Sequence, residues 1–181
     1  ADEASKDLTG TEIRVLDSGS ASGGQALITL AAWRAAVSGL GLEEVVSVAS
    51  AVINKVKILA FLDTLYYLWK GGRVPKFVHT GTAILGLKPI FSMERGVIRT
   101  VSRPRTRGRA IDRLVQLVRE DCNDRRVHAT VIHAASLNTA EELMMRLSNS
   151  LKCEELFVSE FTPVMGAHSG PGLVGVAYWT E

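Results

Sequence analysis

The chain has 181 residues, 46% apolar and 22% charged, which suits one domain of ordinary size with a real core and excludes a disordered chain. A net charge of +2 argues against a surface built throughout for nucleic acid, and two cysteines, Cys122 and Cys153, are too few for a disulfide scaffold. The polar, acidic start ADEASKDLTG is no signal peptide. Lys55, Lys57 and Asp63 break the longest apolar stretch, 45–69, so no stable membrane insertion is expected and a cytoplasmic location follows by default.

In chain order, ADEASKDL reads as the tail of a helix already under way, and IRVLDS (13–18) as a buried strand running into a turn. Asp17 and Ser18 at its end either support a site or cap the next helix. GGQALITLAAWRAAV has helical spacing with a glycine-rich stop after Val37, and LEEVVSVASAVINKV is a second helix with two glutamates in its first turn. KILAFLD (57–63) is a strand, TLYYLWKGG a short helix, and a further helix is expected over 76–87. KPIFSMERGVIRTVS gives two strands around a Glu-Arg-Gly turn. RGRAIDRLVQLVRE is amphipathic, with Ile111, Leu114, Val115 and Val118 along one stripe. RVHATVIHAA is a strand, NTAEELMMRLSNSL a helix opened by Asn138 or Thr139, and EELFVSEF and LVGVAYW are the last strands. Strands alternate with helices around a central hairpin, which is an α/β fold with a mixed parallel and antiparallel sheet.

Few residues carry the spacing of a known chemistry. The four histidines, His79, His128, His133 and His168, form no HxH or HExxH pattern, and no CxxC is present, so no metal site is expected. Ser169 lacks the GxSxG context of a nucleophile elbow, and a hydrolase pairing His168 with Ser169 or Asp17 is the weakest reading. Neither GxxxxGK[ST] nor GxGxxG occurs. KGGRVPK (70–76) is either a helix end with basic residues complementing the dipole or a loop that brings out Arg73.

Arg95, Arg99, Arg103, Arg105, Arg107, Arg109 and Arg113 fall within nineteen residues, the strongest compositional signal in the chain. Guanidinium forks suit carboxylate or phosphate, so the segment marks a phosphorylated ligand, nucleic acid, an acidic partner or a solvated face. No aromatic residues interleave the arginines as single-strand binding would favour. Finally, GAHSGPGLVG (166–175) sets His168 among glycines with Pro171 stiffening the segment, here read as strand, loop, strand. An imidazole at a sheet end is placed to hydrogen-bond a carboxylic acid, or it belongs to a plain turn.

Five stretches, IRVLDSGSASGGQ, FLDTLYYLWKGGRV, LGLKPIF, SRPRTRG and GAHSGPGLVG, occur in one order across nearly the whole chain. Together they resemble the DegV family of bacterial fatty-acid-binding proteins. The resemblance implies a two-domain fold, with residues 1–181 its C-terminal lipid-binding domain and 1–12 the tail of a preceding helix. It implies a non-catalytic carrier with no cofactor, a bound long-chain fatty acid as ligand, a fatty acid kinase as partner and no nucleic acid. The kinase would phosphorylate the presented carboxylate, and the acyl phosphate would feed phospholipid synthesis.

By resemblance, His168, Gly166, Ser169 and Gly170 surround the carboxylate. Ile84, Leu85, Leu87, Ile90 and Phe91 line the acyl chain, and Arg73 and Arg105 serve the kinase or its phosphate. The chain departs from the family in two places. The Thr-Ser and Ser-Gly-Thr motifs that complete the family's carboxylate site are not in this sequence, and Val74-Pro75 follows GGR where the family often has Ile-Ser. The alternative reading is a phospho-ligand or nucleic-acid module on the Arg95–Arg113 basic cluster.

Overall fold

The computed structural model describes residues 3, 6, 7, 10–72 and 86–181. Six strands form one sheet: β1 (Lys57–Phe61), β2 (Ile90–Glu94), β3 (Val97–Ser102), β4 (Arg126–His133), β5 (Lys152–Glu160) and β6 (Val174–Thr180). Their spatial order is β3-β2-β1-β6-β4-β5. Only β4 and β5 are parallel, and α5 (Leu137–Ser148) connects them. Every other neighbouring pair is antiparallel, so the sheet is mixed as expected.

Side-chain alternation along the strands separates two cores. Leu59, Phe61, Ile90, Val127, Ala129, Val131, Val174 and Val176 face α4 (Arg107–Cys122) and α5. Ile58, Ala60, Leu62, Ile132 and Ala177 face α1 (Ser22–Val37) and α2 (Leu42–Lys55). The stripe of α4 is buried at Ile111, Leu114 and Val118, with Val115 at its margin. α1 can approach the sheet closely because Gly23 has no side chain. A Cβ there would lie 2.6 Å from Thr130 Cγ2 and 2.7 Å from Ile132 Cγ2. The hairpin turns through Arg95 and Gly96, both at positive φ, as a tight two-residue connection requires.

Three sequence expectations need correction. Residues 13–18 form no strand: Val15 and Leu16 are 40% and 41% exposed, and β-propensity without a neighbouring strand to pack against does not hold a strand. Asp17 does not cap α1. Its Oδ1 accepts the Gly19 N–H (2.9 Å) in a local turn, and Ala21 stands at the helix N-cap. α5 opens at Ser136 rather than at Asn138 or Thr139, and the Thr139 hydroxyl instead accepts from Arg107 Nη1 (3.2 Å). The helix expected over 76–87 lies almost wholly outside the described residues. Its described end is not helical, with Gly86 at φ +87°.

Pairings of Phe61 with Ile90 and Val174, and of His133 with Val174 and Glu160, place the C-terminal ends of β1, β4 and β5 together. The short helix α3 (Tyr66–Lys70), α4, α5 and the short helix α6 (Pro163–Ser169) all begin at this end. In open α/β sheets this is the end at which ligands gather.

Candidate functional site

On the α1 face of the sheet lies a cavity of about 550 Å³. Its floor follows strand alternation: Ile58, Ala60 and Leu62 run from β1 onward, Phe91 and Met93 come from β2, and Ile98 and Thr100 from β3. Leu68 of α3 and Met165 of α6 contribute from the short helices, and Ala21 and Ser22 from the start of α1. Among the described residues no Asp, Glu, Lys or Arg lines it. The polar contributions are Ser22, Ser92, Thr100, His168 and Ser169. A half-open pocket of this size, apolar along its floor and polar at few points, fits a molecule with a long apolar body and one hydrogen-bonding end.

His168 sits in the last turn of α6, half-buried and on the cavity wall. This corrects the strand-loop-strand expectation: Thr162 is the N-cap, Pro163 opens the helix and Gly170 closes it. A short helix holds an imidazole in place better than a glycine-rich loop would. Ser169 Oγ donates to the Met165 carbonyl (3.1 Å), so its proton is spent within the helix, and Asp17 is engaged by Gly19. Neither contact builds the nucleophile–base pair of a hydrolase.

The two glycines flanking His168 play different parts. Gly170 has φ +76° and ψ 168°, a region essentially reserved for glycine. A Cβ there would lie 2.5 Å from Tyr67 Cε2, 2.8 Å from Tyr67 Cγ and closer still to Cδ2. Gly170 therefore makes the turn and lets α3 pack on α6. Around Gly166, by contrast, nothing lies within 4 Å of where a Cβ would stand.

The remaining expected residues are dispersed. Phe91 lines the cavity. Ile90, one residue earlier, points to the other face and is fully buried in the α4–α5 core, so it does not line this cavity. Leu87 is half-buried ahead of β2, and Arg105 is exposed between β3 and α4. Arg73, Ile84 and Leu85 lie outside the described residues.

The arginine run does not make one face. Arg95 is in the hairpin turn, Arg99 on the edge strand β3, Arg107 pairs with Asp63, and Arg113 lies 3.9 Å from Glu120. Residues missed from sequence, above all Ile58, Ala60, Met93 and Ile98, were marked by the two-residue alternation of KILAFLD and of IFSME with VIRTVS.

Among the described residues, no group of three or more His, Cys, Asp or Glu could hold a metal ion. His128 Nδ1 lies 2.9 Å from Glu155 Oε1 and its ring stacks on Trp179, while His133 Nδ1 accepts the Ser136 N–H (3.3 Å). Burial pushes the Cys122 thiol up to about 11, with Asp121 adding to the effect. Among the described residues, no helix is long and apolar enough to cross a membrane.

The family model for "Uncharacterised protein, DegV family" matches residues 1–181. The chain belongs to the DegV family. A DegV domain-containing protein of Mycobacterium tuberculosis is 36% identical over 173 residues, covering 92% of this chain and 60% of that protein. One from Clostridium acetobutylicum is 33% identical over 171 residues, covering 94% of this chain and 60% of the relative. This DegV family chain thus spans about 60% of the length of the curated relatives it matches.

Among solved structures, a Thermotoga maritima protein with fatty acid binding function superposes with a TM-score of 0.86 at 26% identity. The match covers 99% of this chain and 63% of that one. The Fatty Acid Kinase (Fak) B3 protein from Streptococcus pneumoniae, loaded with linoleic acid, has a TM-score of 0.88 at 19% identity over 99% of this chain and 64% of its own. At that identity the likeness is one of fold.

Proposed function

We propose that this DegV family chain is the lipid-holding part of a fatty acid carrier. The acyl chain occupies the cavity between the sheet, α3 and α6, and its carboxylate lies at His168. The observation that carries this reading is a cavity of about 550 Å³ with no charged side chain among its described lining and with His168 on its wall. Each methylene taken from water contributes about 0.8 kcal/mol, so the apolar floor sets affinity and the head group needs few donors. The fatty acid binding of the Thermotoga relative supports the ligand class.

In this reading the carrier is not itself an enzyme and needs no cofactor. A separate fatty acid kinase, as the name of the Streptococcus relative suggests, supplies the phosphoryl group. A carboxylate oxygen of the bound acid attacks the γ-phosphorus of ATP, the bond to the β-phosphate oxygen breaks, and ADP leaves with that electron pair. His168 holds the carboxylate with Ser169 beside it on the cavity wall, and Gly166 and Gly170 shape the helix that carries them. Leu87 extends the acyl lining beside Phe91, a role expected also of Ile84 and Leu85, which lie outside the described residues. Arg73 and Arg105 serve the kinase, where fixed positive charge stabilises the developing phosphoryl charge. The chain is the C-terminal domain of the carrier, and its ATP-dependent partner places it in the cytoplasm.

Native mass spectrometry of the purified protein, before and after addition of palmitate, tests the reading. A bound C16 or C18 acid is the expected result, and His168→Ala should lower its retention. In a coupled phosphorylation assay Arg105→Ala should retain the acid but turn it over slowly. Wild-type behaviour of both variants would refute the residue assignments.

A further inference from the structure

Asp63 lies two residues beyond β1, outside the cavity, and three segments of the site end converge on it. Arg107, the first residue of α4, donates from Nη2 to Asp63 Oδ2 and from Nη1 to Thr139 on α5. Lys88, just ahead of β2, donates to the Asp63 backbone carbonyl (3.2 Å), and its ammonium stands 3.1 Å from Oδ1. That Oδ1 contact lies off the hydrogen-bond direction, and the buried oxygen accepts no hydrogen bond among the described residues. The third segment is the link from α6 to β6. A Cβ on Gly172, at φ +90°, would lie 2.8 Å from Asp63 Cγ and closer still to Oδ2, so the carboxylate rests directly against this link.

Gly172 lies four positions after His168, and Arg107 two positions after Arg105. Backbone bonds between Ala134 and the pair Gly172 and Leu173 (2.8 and 3.0 Å) fix the link from the β4 side. On the β1 side Asp63 rests against Gly172, beside the Tyr67 contact to Gly170. Partly exposed ion pairs contribute little to stability, and a buried oxygen without a hydrogen bond is a cost. A well-packed apolar side chain would serve the fold as well. What a carboxylate adds here is geometry: one group engages the start of α4, the Lys88 segment and the His168 link together.

We propose that Asp63 is a positioning residue that keeps the His168-bearing link and the arginine-bearing start of α4 in fixed register. Its consequence for phosphoryl transfer rests on the carrier reading above. The coupling itself does not. Because Asp63 does not line the cavity, its loss leaves acyl contacts in place and misplaces the two groups at the head end. Misplacement of about 1 Å can cost on the order of 100-fold in rate.

The test compares Asp63→Asn, Arg107→Gln and the double variant by hydrogen–deuterium exchange of the whole chain. Asp63→Asn should speed exchange roughly tenfold in both 166–173 and 103–109, leaving 127–132 protected, and the double variant should add nothing further. In the same proteins, palmitate affinity should fall less than in His168→Ala, because the acyl contacts remain, while phosphorylation of bound palmitate falls at least roughly tenfold. Unchanged exchange over 166–173 would overturn the proposal. So would faster exchange that spreads into 127–132 in step with a lower Tm, the mark of a merely structural residue. If the wild-type protein holds no palmitate, the carrier reading falls while the exchange data still decide the role of Asp63.

Discussion

Replacing Gly170 by alanine imposes two separate penalties. The backbone at φ +76° and ψ 168° lies where non-glycine residues cost about 1–3 kcal/mol. The added methyl would also overlap the Tyr67 ring, 2.5 Å from Cε2 and 2.8 Å from Cγ, and overpacking of this kind costs about 1–3 kcal/mol. Together these amount to about 4 kcal/mol, which for a chain of this size lowers Tm by roughly 8–16 °C. Gly166→Ala is the matched control within the same helix. Its methyl meets nothing within 4 Å, and helix propensity favours alanine over glycine by about 1 kcal/mol, so this variant should be neutral or more stable. Thermal and urea unfolding followed by circular dichroism measure both. A Gly170→Ala protein within about 0.5 kcal/mol of wild type would refute the packing of α3 on α6 described above. A strongly destabilised Gly166→Ala protein would refute the open surroundings of Gly166.

Three further outcomes can be checked independently. Ala60→Leu adds three carbons to the cavity floor, and displacing three methylenes at about 0.8 kcal/mol each should weaken palmitate binding roughly 50-fold, measured by titration, and less for shorter acids. The Arg34 hydrogen bonds to Glu155 (2.9 and 2.5 Å), aided by His128, hold the Glu155 carboxyl below its usual 4.5 against burial. A carboxyl lowered in the folded state stabilises above 4.5 and loses that contribution as pH falls through its folded value, so Arg34→Gln should flatten the acid side of a stability–pH profile. Cys122, buried and with its thiol raised to about 11, should react with a disulfide reagent near pH 8 only when the protein is unfolded. Rapid labelling of Cys122 in the native protein would contradict the packing of α4.

The alternation of KILAFLD and IFSME made the sheet legible, because period-2 burial leaves its mark in composition. It also held the information that separates Ile90 from Phe91. Which face belongs to which core, however, depends on helices that pack from elsewhere in the chain. IRVLDS failed for the complementary reason: three apolar side chains satisfy a local pattern but find no neighbouring strand. The helix carrying His168 was legible in principle, since Pro163 opens it and Gly170 closes it. Gly166, Gly170, Pro171 and Gly172 together gave the segment the composition of a loop. The role of Asp63 could not be read from sequence, because Arg107 and Gly172 reach it across 44 and 109 positions of chain.

The most direct measurement is a crystal structure of the protein with palmitate. The expected result is an acyl chain lying along Ile58, Ala60 and Phe91 beneath Met165, with its carboxylate within hydrogen-bond distance of His168. An acyl chain bound elsewhere, or one entering the cavity with its carboxylate turned away from His168, would contradict the carrier reading.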